Sequence, residues 1–438
     1  MSRDEAESST KAAGFCYRPF FGRNMSRQPI GAGTADARRK ARARPTGNKG
    51  ALRILLLTGT RPDIIKTASV VHALEAAGCE TFLVHSGQHE AAVSELYRFL
   101  RLRPFATLRL GPRGPQLAEL NARLLESLDP IVARVAPDVL VVQGDTTTAL
   151  VGALIGFYHR VPVAHVEAGL RSGDTVEPFP EELNRQLITR IATWHFAPTP
   201  LAVACLRREG VPLETVTMTG NTVVDAALFG YSRLGPGPVA RKSEAHRLIV
   251  VTAHRRENWG AGIDEIGLAM RRVVERFADV AVLWPLHPNP EVASAVKTIW
   301  RGLSPDVGKR VRLTEPLAYP EMLQALRDAW LVVTDSGGLQ EEAVTARVPV
   351  LITRRQTERP EVITCGAGRL VGADARRLEV EVARLYRSAA KWEAMRPTHS
   401  PFGDGTAGRR IAAVLAKARQ SRTPKVRAGV TRSGAAAS

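Results

Sequence analysis

"LRILLLTGTRPDIIKTASVVHALEAAG", residues 52–78, opens on the apolar run Ile54–Leu57, turns at a glycine and continues with apolar residues along one face. A short run of Leu and Ile bounded by glycine reads as a strand buried on both faces, and Pro62 suits a first helical turn. The stretch predicts a strand over "LRILLLTGT" and an amphipathic helix from Pro62 to Ala77. Strands buried on both faces belong in parallel sheets covered by helices.

The same rhythm continues outward from this unit. "ETFLVHS", "PDVLVVQGD", "VPVAHVEAG", "TWHFAP" and "TVTMTGN" read as strands. Between them lie helical patterns, "QLAELNARLLESLDPIVARV" with Leu117, Leu120, Leu124 and Leu128 on one face, and "TTTALVGALIGFYHR". A second series follows the Gly/Pro-rich "RLGPGPVARKSEAH", with strands "RLIVVTAH", "VAVLWPLH", "VRLTEP", "AWLVVTDSG" and "VPVLIT". A chain of 438 residues exceeds one hydrophobic core. Alternating strands and helices predict an α/β protein of two doubly wound parallel-sheet domains, joined near residues 220–240 around an interdomain cleft. No repeat of 20–50 residues is visible, which argues against a solenoid.

The formal charge of +18 suggests nucleic acid until it is located. Residues 1–50 carry +7 and residues 417–438 carry +6, so most of the excess lies in two tails poor in large apolar residues. Such tails are expected to be disordered, and nucleic-acid binding is the weaker reading of them. No apolar run approaches the length of a membrane span and the start has no h-region, so neither membrane nor secretion is expected. Cys16, Cys79, Cys205 and Cys365 are far apart with no CxxC pair, which suits a reducing cytoplasm.

Ligands of doubly wound domains bind at the carboxyl ends of strands. Here those ends are consistently polar: "TGTRPD", "SGQHE", "QGDTTT", "HVEAGLRSGD", "TAHRREN", "PLHPNP" and "TDSGGLQEE". One of them opens "HVEAGLRSGDTVEPFPEELNRQ", residues 165–186, which gathers Glu167, Asp174, Glu177, Glu181 and Glu182 in a stretch that reads as loop. In a basic protein that clustering points to chemistry at a strand end rather than to a solvated face. Ser336, Gly337 and Gly338 sit between a strand and a helix, where free N–H groups and the helix dipole suit a phosphate or diphosphate. Glu341 and Glu342, one turn further on, can accept ribose hydroxyls. Arg61, Lys66, Arg255, Arg256 and Arg359 lie at strand ends on both sides of the cleft and suit the same anion. No first strand–helix turn carries GxGxxG, neither GxxxxGK[ST] nor HExxH is present, and Asp145 alone is thin support for a metal.

Together these residues resemble the non-hydrolysing UDP-N-acetylglucosamine 2-epimerases. The likeness runs from about residue 52 to 417 through "GTRPDIIK", "QGDTTTAL", "HVEAGLRSGD", "PFPEELNR", "TGNTVVDA", "TAHRREN", "TDSGGLQEEA", "TERPE" and "GDGTA", in order. It implies a glycosyltransferase-B-like arrangement with Rossmann-like domains over 51–222 and 223–405, a C-terminal helix over 406–418 returning to the first, and tails over 1–50 and 419–438. It also implies a UDP-sugar substrate, a homodimer and no cofactor. By the resemblance Asp145, Glu167, Glu181 and His254 are catalytic, and Ser336, Gly337, Gly338, Glu342, Arg61, Lys66 and Arg359 bind substrate.

The implied route eliminates UDP to give 2-acetamidoglucal and then adds it back, because a sugar C2–H is not acidic enough for simple exchange. Carboxylates desolvated in a closed cleft are expected to have raised pKa values suited to this work. A hydrolysing relative, an epimerase for a modified UDP-sugar and a glycosyltransferase are the rival enzymes. Some members bind a second UDP-sugar beside "SGQHEAA", where Glu90 follows Gln88 and His89 in place of the usual Arg. Repulsion at Glu90 predicts hyperbolic kinetics without an effector.

Overall fold

The computed structural model describes residues 50–87, 90–110, 116–234, 247–255 and 258–422. The tails 1–49 and 423–438, Gln88, His89, the side chain of Glu90, Arg256 and most of the Gly/Pro-rich linker lie outside them. Two parallel sheets carry the fold. The first contains β1 (Arg53–Thr58), β2 (Glu80–His85), β3 (Ala106–Thr107), β4 (Val139–Gln143), β5 (Val163–Val166), β6 (Trp194–Ala197) and β7 (Val216–Met218). Their order is β3-β2-β1-β4-β5-β6-β7. The second contains β8 (Arg247–Thr252), β9 (Val280–Pro285), β10 (Val311–Thr314), β11 (Ala329–Thr334), β12 (Val350–Ile352) and β13 (Gly368–Leu370), in the order β10-β9-β8-β11-β12-β13. Both orders reverse beside their first strand, between β1 and β4 and between β8 and β11. Those reversals open the crevices in which doubly wound sheets bind ligands. The expected two-lobed, glycosyltransferase-B-like α/β architecture is the one observed.

The apolar run that opens the first lobe is buried on both sides. Ile54 and Leu56 enter one core cluster while Leu55 and Leu57 enter the cluster on the other face. In β8, Ile249 and Val251 face one cluster and Val250 the other. Each fully buried side chain of this size is worth about 1.5–3 kcal/mol. β3 and β13, of two and three residues, are too short to leave an apolar run and were not legible in the sequence.

The helix Thr222–Arg233 follows β7 and shares its buried face between the lobes, with Ala226 and Ala227 in the first-lobe core and Val223 and Val224 in a second-lobe core. The final helix, Ala407–Arg422, reaches beyond the residue 418 expected for it. It packs Ile411, Ala412 and Leu415 into the first-lobe core. Its crossing over the helix Arg61–Ala76 is close: a Cβ on Gly408 would lie 2.5 Å from the Ser69 carbonyl oxygen. Asp225 caps its start, accepting from the N–H groups of Ala407 at 3.2 Å and Gly408 at 2.9 Å.

The acidic stretch is only partly loop. From Glu181 it becomes the helix Glu181–Ile191, with Glu181 and Glu182 in the first turn. Carboxylates there face the positive end of the helix dipole. The prolines and glycines that suggested loop all lie before that helix.

Candidate active site

The first-lobe wall of the site is built from the ends of β1, β4 and β5. Glu167 follows β5 with φ of +67°, a left-handed conformation that costs a non-glycine residue roughly 1–2 kcal/mol. Gly169, two residues on, also has positive φ, and any Cβ there would strike the Ala202 backbone. The turn thus aims Glu167 inward against local preference.

Its carboxylate accepts from Lys66 Nζ at 2.5 Å, Gln143 Nε2 at 2.6 Å and Asn221 Nδ2 at 3.1 Å, and Arg359 stands 3.6 Å away. Burial would raise this carboxyl, but the charges of Lys66 and Arg359, with the hydrogen bonds, hold it below its ordinary value. That differs from the raised value expected from desolvation. Lys66 and Arg359 are almost fully buried; Lys66 also lies 3.2 Å from Glu341, and Arg359 Nε donates to Glu341. Glu341 is fully buried and tied to those cations, so the option of its accepting ribose hydroxyls falls away.

Asp145, just past β4, is gripped by Arg185 through Nε at 2.8 Å and a terminal nitrogen at 2.7 Å. Arg185 is buried and also meets the fully buried Glu182 at 3.0 Å. Asn184 donates to the Asp145 carbonyl at 2.8 Å. Glu181 opens the same helix. Its own burial, together with the negative charge of Asp145, raises its pKa. The two glutamates are therefore driven in opposite directions: Glu167 towards the carboxylate and Glu181 towards the acid.

The second-lobe wall begins at the ends of β8 and β11. Asp335, fully buried, accepts from the backbone N–H groups of His254 and Arg255 and from Asn258 Nδ2, each at 2.9 Å. His254 Nδ1 lies 3.0 Å from its other oxygen. An imidazole held at Nδ1 leaves Nε2 as its free ring nitrogen. Arg255 is half-buried beside it.

Ser336 caps the helix Gly337–Thr345, its Oγ accepting from the Leu339 N–H at 3.4 Å. A Cβ on Gly338 would meet nothing within 4 Å, and one on Gly337 only the Arg359 guanidinium at 3.9 Å. Neither glycine has positive φ. Protein packing and backbone conformation therefore require neither, and the space above the helix N-terminus stays open beside a guanidinium. Glu342, half-buried one turn along, is pushed up to about 7 by burial and by Glu341. Arg61 reaches across from the first lobe to donate to the Leu317 carbonyl at 3.2 Å.

The UDP-N-acetylglucosamine 2-epimerase family model matches residues 72–416. The chain belongs to that family. It is 39% identical over 380 residues to the UDP-N-acetylglucosamine 2-epimerase of Salmonella typhimurium, covering 84% of this chain and 100% of that one. It is 40% identical over 379 residues to the enzyme of that name from Escherichia coli K12, covering 83% and 98%. A structure of UDP-GlcNAc 2-epimerase from Neisseria meningitidis bound to UDP-GlcNAc aligns with a TM-score of 0.78 at 31% identity, over 84% of this chain and 100% of that. A glycotransferase of kitacinnamycin, 13% identical with a TM-score of 0.56, shares the fold.

Several residues of this 2-epimerase support the site without a role assigned to them from the motifs. Gln143, Asn221, Arg185 and Asp335 touch the predicted residues directly. Gln143 had a signal, a lone amide closing the apolar strand "VLVVQ". Arg185 closes the motif "PFPEELNR", but nothing local names its role, because its partner Asp145 is 40 residues away.

Proposed function

We propose that this 2-epimerase interconverts UDP-N-acetylglucosamine and UDP-N-acetylmannosamine without hydrolysis. The reaction breaks C2–H and the C1–O bond to UDP, giving 2-acetamidoglucal, a proton on an acidic side chain and UDP. Protonation on the opposite face of C2 and return of the UDP oxygen to C1 complete the inversion.

The observation that carries this reading is the pairing of two unlike walls. Asp145 and Glu167 stand at the ends of β4 and β5 and Glu181 at a helix start, with Glu167 driven towards the carboxylate and Glu181 towards the acid, and an open helix N-terminus with Arg359 beside it stands after β11. Glu167, kept ionised, suits the role of base. Glu181, kept protonated more readily, suits the acid on the other face. Asp145, gripped by Arg185, would steady positive charge developing at C1. Arg61, Arg255, Ser336 and the N–H groups of Gly337 and Gly338 would retain UDP, with Arg359 and Lys66 shared between anion and Glu167. His254, held by Asp335, would serve the departing diphosphate, and Glu342 the ribose. Retaining both fragments makes re-addition effectively intramolecular, which is what separates epimerisation from release of the free sugar.

Names of relatives support the substrate: the Neisseria structure contains UDP-GlcNAc, and one from Methanocaldococcus jannaschii, 33% identical with a TM-score of 0.72, contains UDP-GlcNAc and UDP. Incubating the protein with UDP-N-acetylglucosamine in deuterium oxide, and following the anomeric protons by NMR, tests the proposal. The expected result is a mixture of two UDP-sugars with deuterium at C2 and no added metal or NAD. Free UDP accumulating in step with free N-acetylmannosamine would assign the hydrolysing reaction instead. A homodimer accords with the family; light scattering measures it.

A further inference from the structure

Two cations and two carboxylates meet in one buried cluster, and only one of the carboxylates has a place in the proposed reaction. Glu341 is fully buried, with its carboxylate taken up by protein cations rather than offered to the cleft. It nevertheless takes Arg359 Nε and Lys66 Nζ, the two cations that also approach Glu167, and Asn221 Nδ2 bridges both carboxylates at 3.1 and 3.2 Å. Glu167 and Lys66 belong to the first lobe, Glu341 and Arg359 to the second. A fully buried carboxylate would carry a heavy desolvation cost unless paired, so its position is set by those cations.

We infer that Glu341 is a positioning residue: by sharing Lys66 and Arg359 it limits their hold on Glu167, leaving that carboxylate basic enough to accept the C2 proton and the cations free to turn towards a diphosphate.

The inference rests on the epimerase reading for its role in turnover. The groups facing Glu167 are Lys66 from the helix Arg61–Ala76, Arg359 and Glu341 from the second lobe, the neutral Gln143 and Asn221, and His165 on its own strand. Glu342 feels the charges of Glu341, Lys66 and Arg61 in turn. His165 is driven strongly towards the neutral form by burial, so it brings no positive charge. Removing the charge of Glu341 removes a like charge and a competitor at once. Both changes strengthen the field of Lys66 and Arg359 on Glu167, so both move it in the same direction.

The test is Glu341→Gln, with Glu341→Asp as the charge-retaining control. In Glu341→Gln the acid limb of the kcat–pH profile should move about one to three pH units lower, the range for a carboxylate facing an uncompensated cation. A weaker base also lowers the plateau, by roughly tenfold. UDP binding, measured by calorimetry, should be retained or tightened because the cluster has lost a negative charge. Glu341→Asp should keep the parent limb. An unmoved limb with weakened UDP binding in Glu341→Gln, or the same shift in both variants, overturns the inference.

A parent protein that turns over no UDP-sugar counts against the epimerase reading, not against this one. Titration of the Glu167 carboxyl carbon by 13C NMR, assigned by its loss in Glu167→Gln, then supplies the same comparison without substrate. If Glu341→Gln does not fold, that titration in Glu341→Asp and parent decides: equal values support shared charge, and a value displaced downwards in Glu341→Asp overturns it.

Discussion

The two walls of the cleft reach similar polarity by opposite means. On the first-lobe wall, Glu167, Asp145, Lys66 and Arg185 are paired side chain to side chain, and what matters is the field that each partner sets up. On the second-lobe wall, past β11, the proposed anion-binding groups are backbone N–H donors at a helix start with empty space above them. Proton transfer needs a side chain whose affinity for a proton is tuned, and tuning requires close, fixed charges. Anion binding needs donors and room, so glycine serves there and close packing would harm it. One wall should therefore be sensitive to charge changes that keep shape, and the other to shape changes that keep charge.

The largest expected effect breaks the first wall. Glu167→Gln keeps the shape and removes the proton acceptor; turnover should fall about 10²–10⁴-fold while UDP binding persists. Asp145→Asn should act likewise, leaving Arg185 with Glu182 as its remaining close carboxylate partner. Near-parental rates in either variant would remove that residue from the chemistry.

Next in size is the pH dependence of Glu181. Its pKa is raised by burial and by Asp145, so as a general acid it stays protonated to a higher pH than an exposed glutamate. Activity should then decline on the alkaline side as pH rises through that raised value. Glu181→Gln should lose rate and with it this alkaline limb; a limb that persists in the variant belongs to another group.

A smaller effect sharpens the contrast from the second wall. Gly338→Ala adds a methyl into unoccupied space within a helix, so thermal stability should hold or rise by up to about 1 kcal/mol. UDP binding should weaken roughly tenfold, equivalent to about 1.4 kcal/mol. Calorimetry and thermal melts on the same sample separate the two, and unchanged UDP affinity would show that the open space is not the anion site.

The smallest effect lies away from both walls. Asp225→Ala uncaps the helix Ala407–Arg422 and should cost about 0.5–2 kcal/mol of unfolding free energy, with KM unchanged. A change in KM alone would mean that this helix reports to the site.

Much of this was legible along the chain because it is local. Apolar runs buried on both faces mark β1, β4, β8 and β11, and a strand buried on both sides has few alternatives to a parallel sheet. Polar residues at the ends of those runs had to converge, since every strand of a parallel sheet delivers its carboxyl end to one edge. That determined the fold class, the two lobes, the position of the cleft and the residues nearest it, as well as the Ser336–Gly338 helix start. The helix from Glu181 was obscured by the prolines before it, and β3 and β13 by their brevity.

The charge states of the site could be decided only in three dimensions. Desolvation, which the sequence suggests for any carboxylate in a cleft, would raise Glu167 and Glu181 alike. Glu167 goes the other way because Lys66, 101 residues before it, and Arg359, on the other lobe, close around it. Glu341 shifts from a group that could face a ribose to one that holds two cations, while Glu342, its neighbour, stays at the surface of the cleft. Adjacent residues on a helix point about 100° apart, and which of them meets the opposite lobe depends on how the lobes are set against each other. Electrostatic energy falls with distance in space, not along the chain, so sequence alone named the acids and tertiary structure decided which of them is ionised.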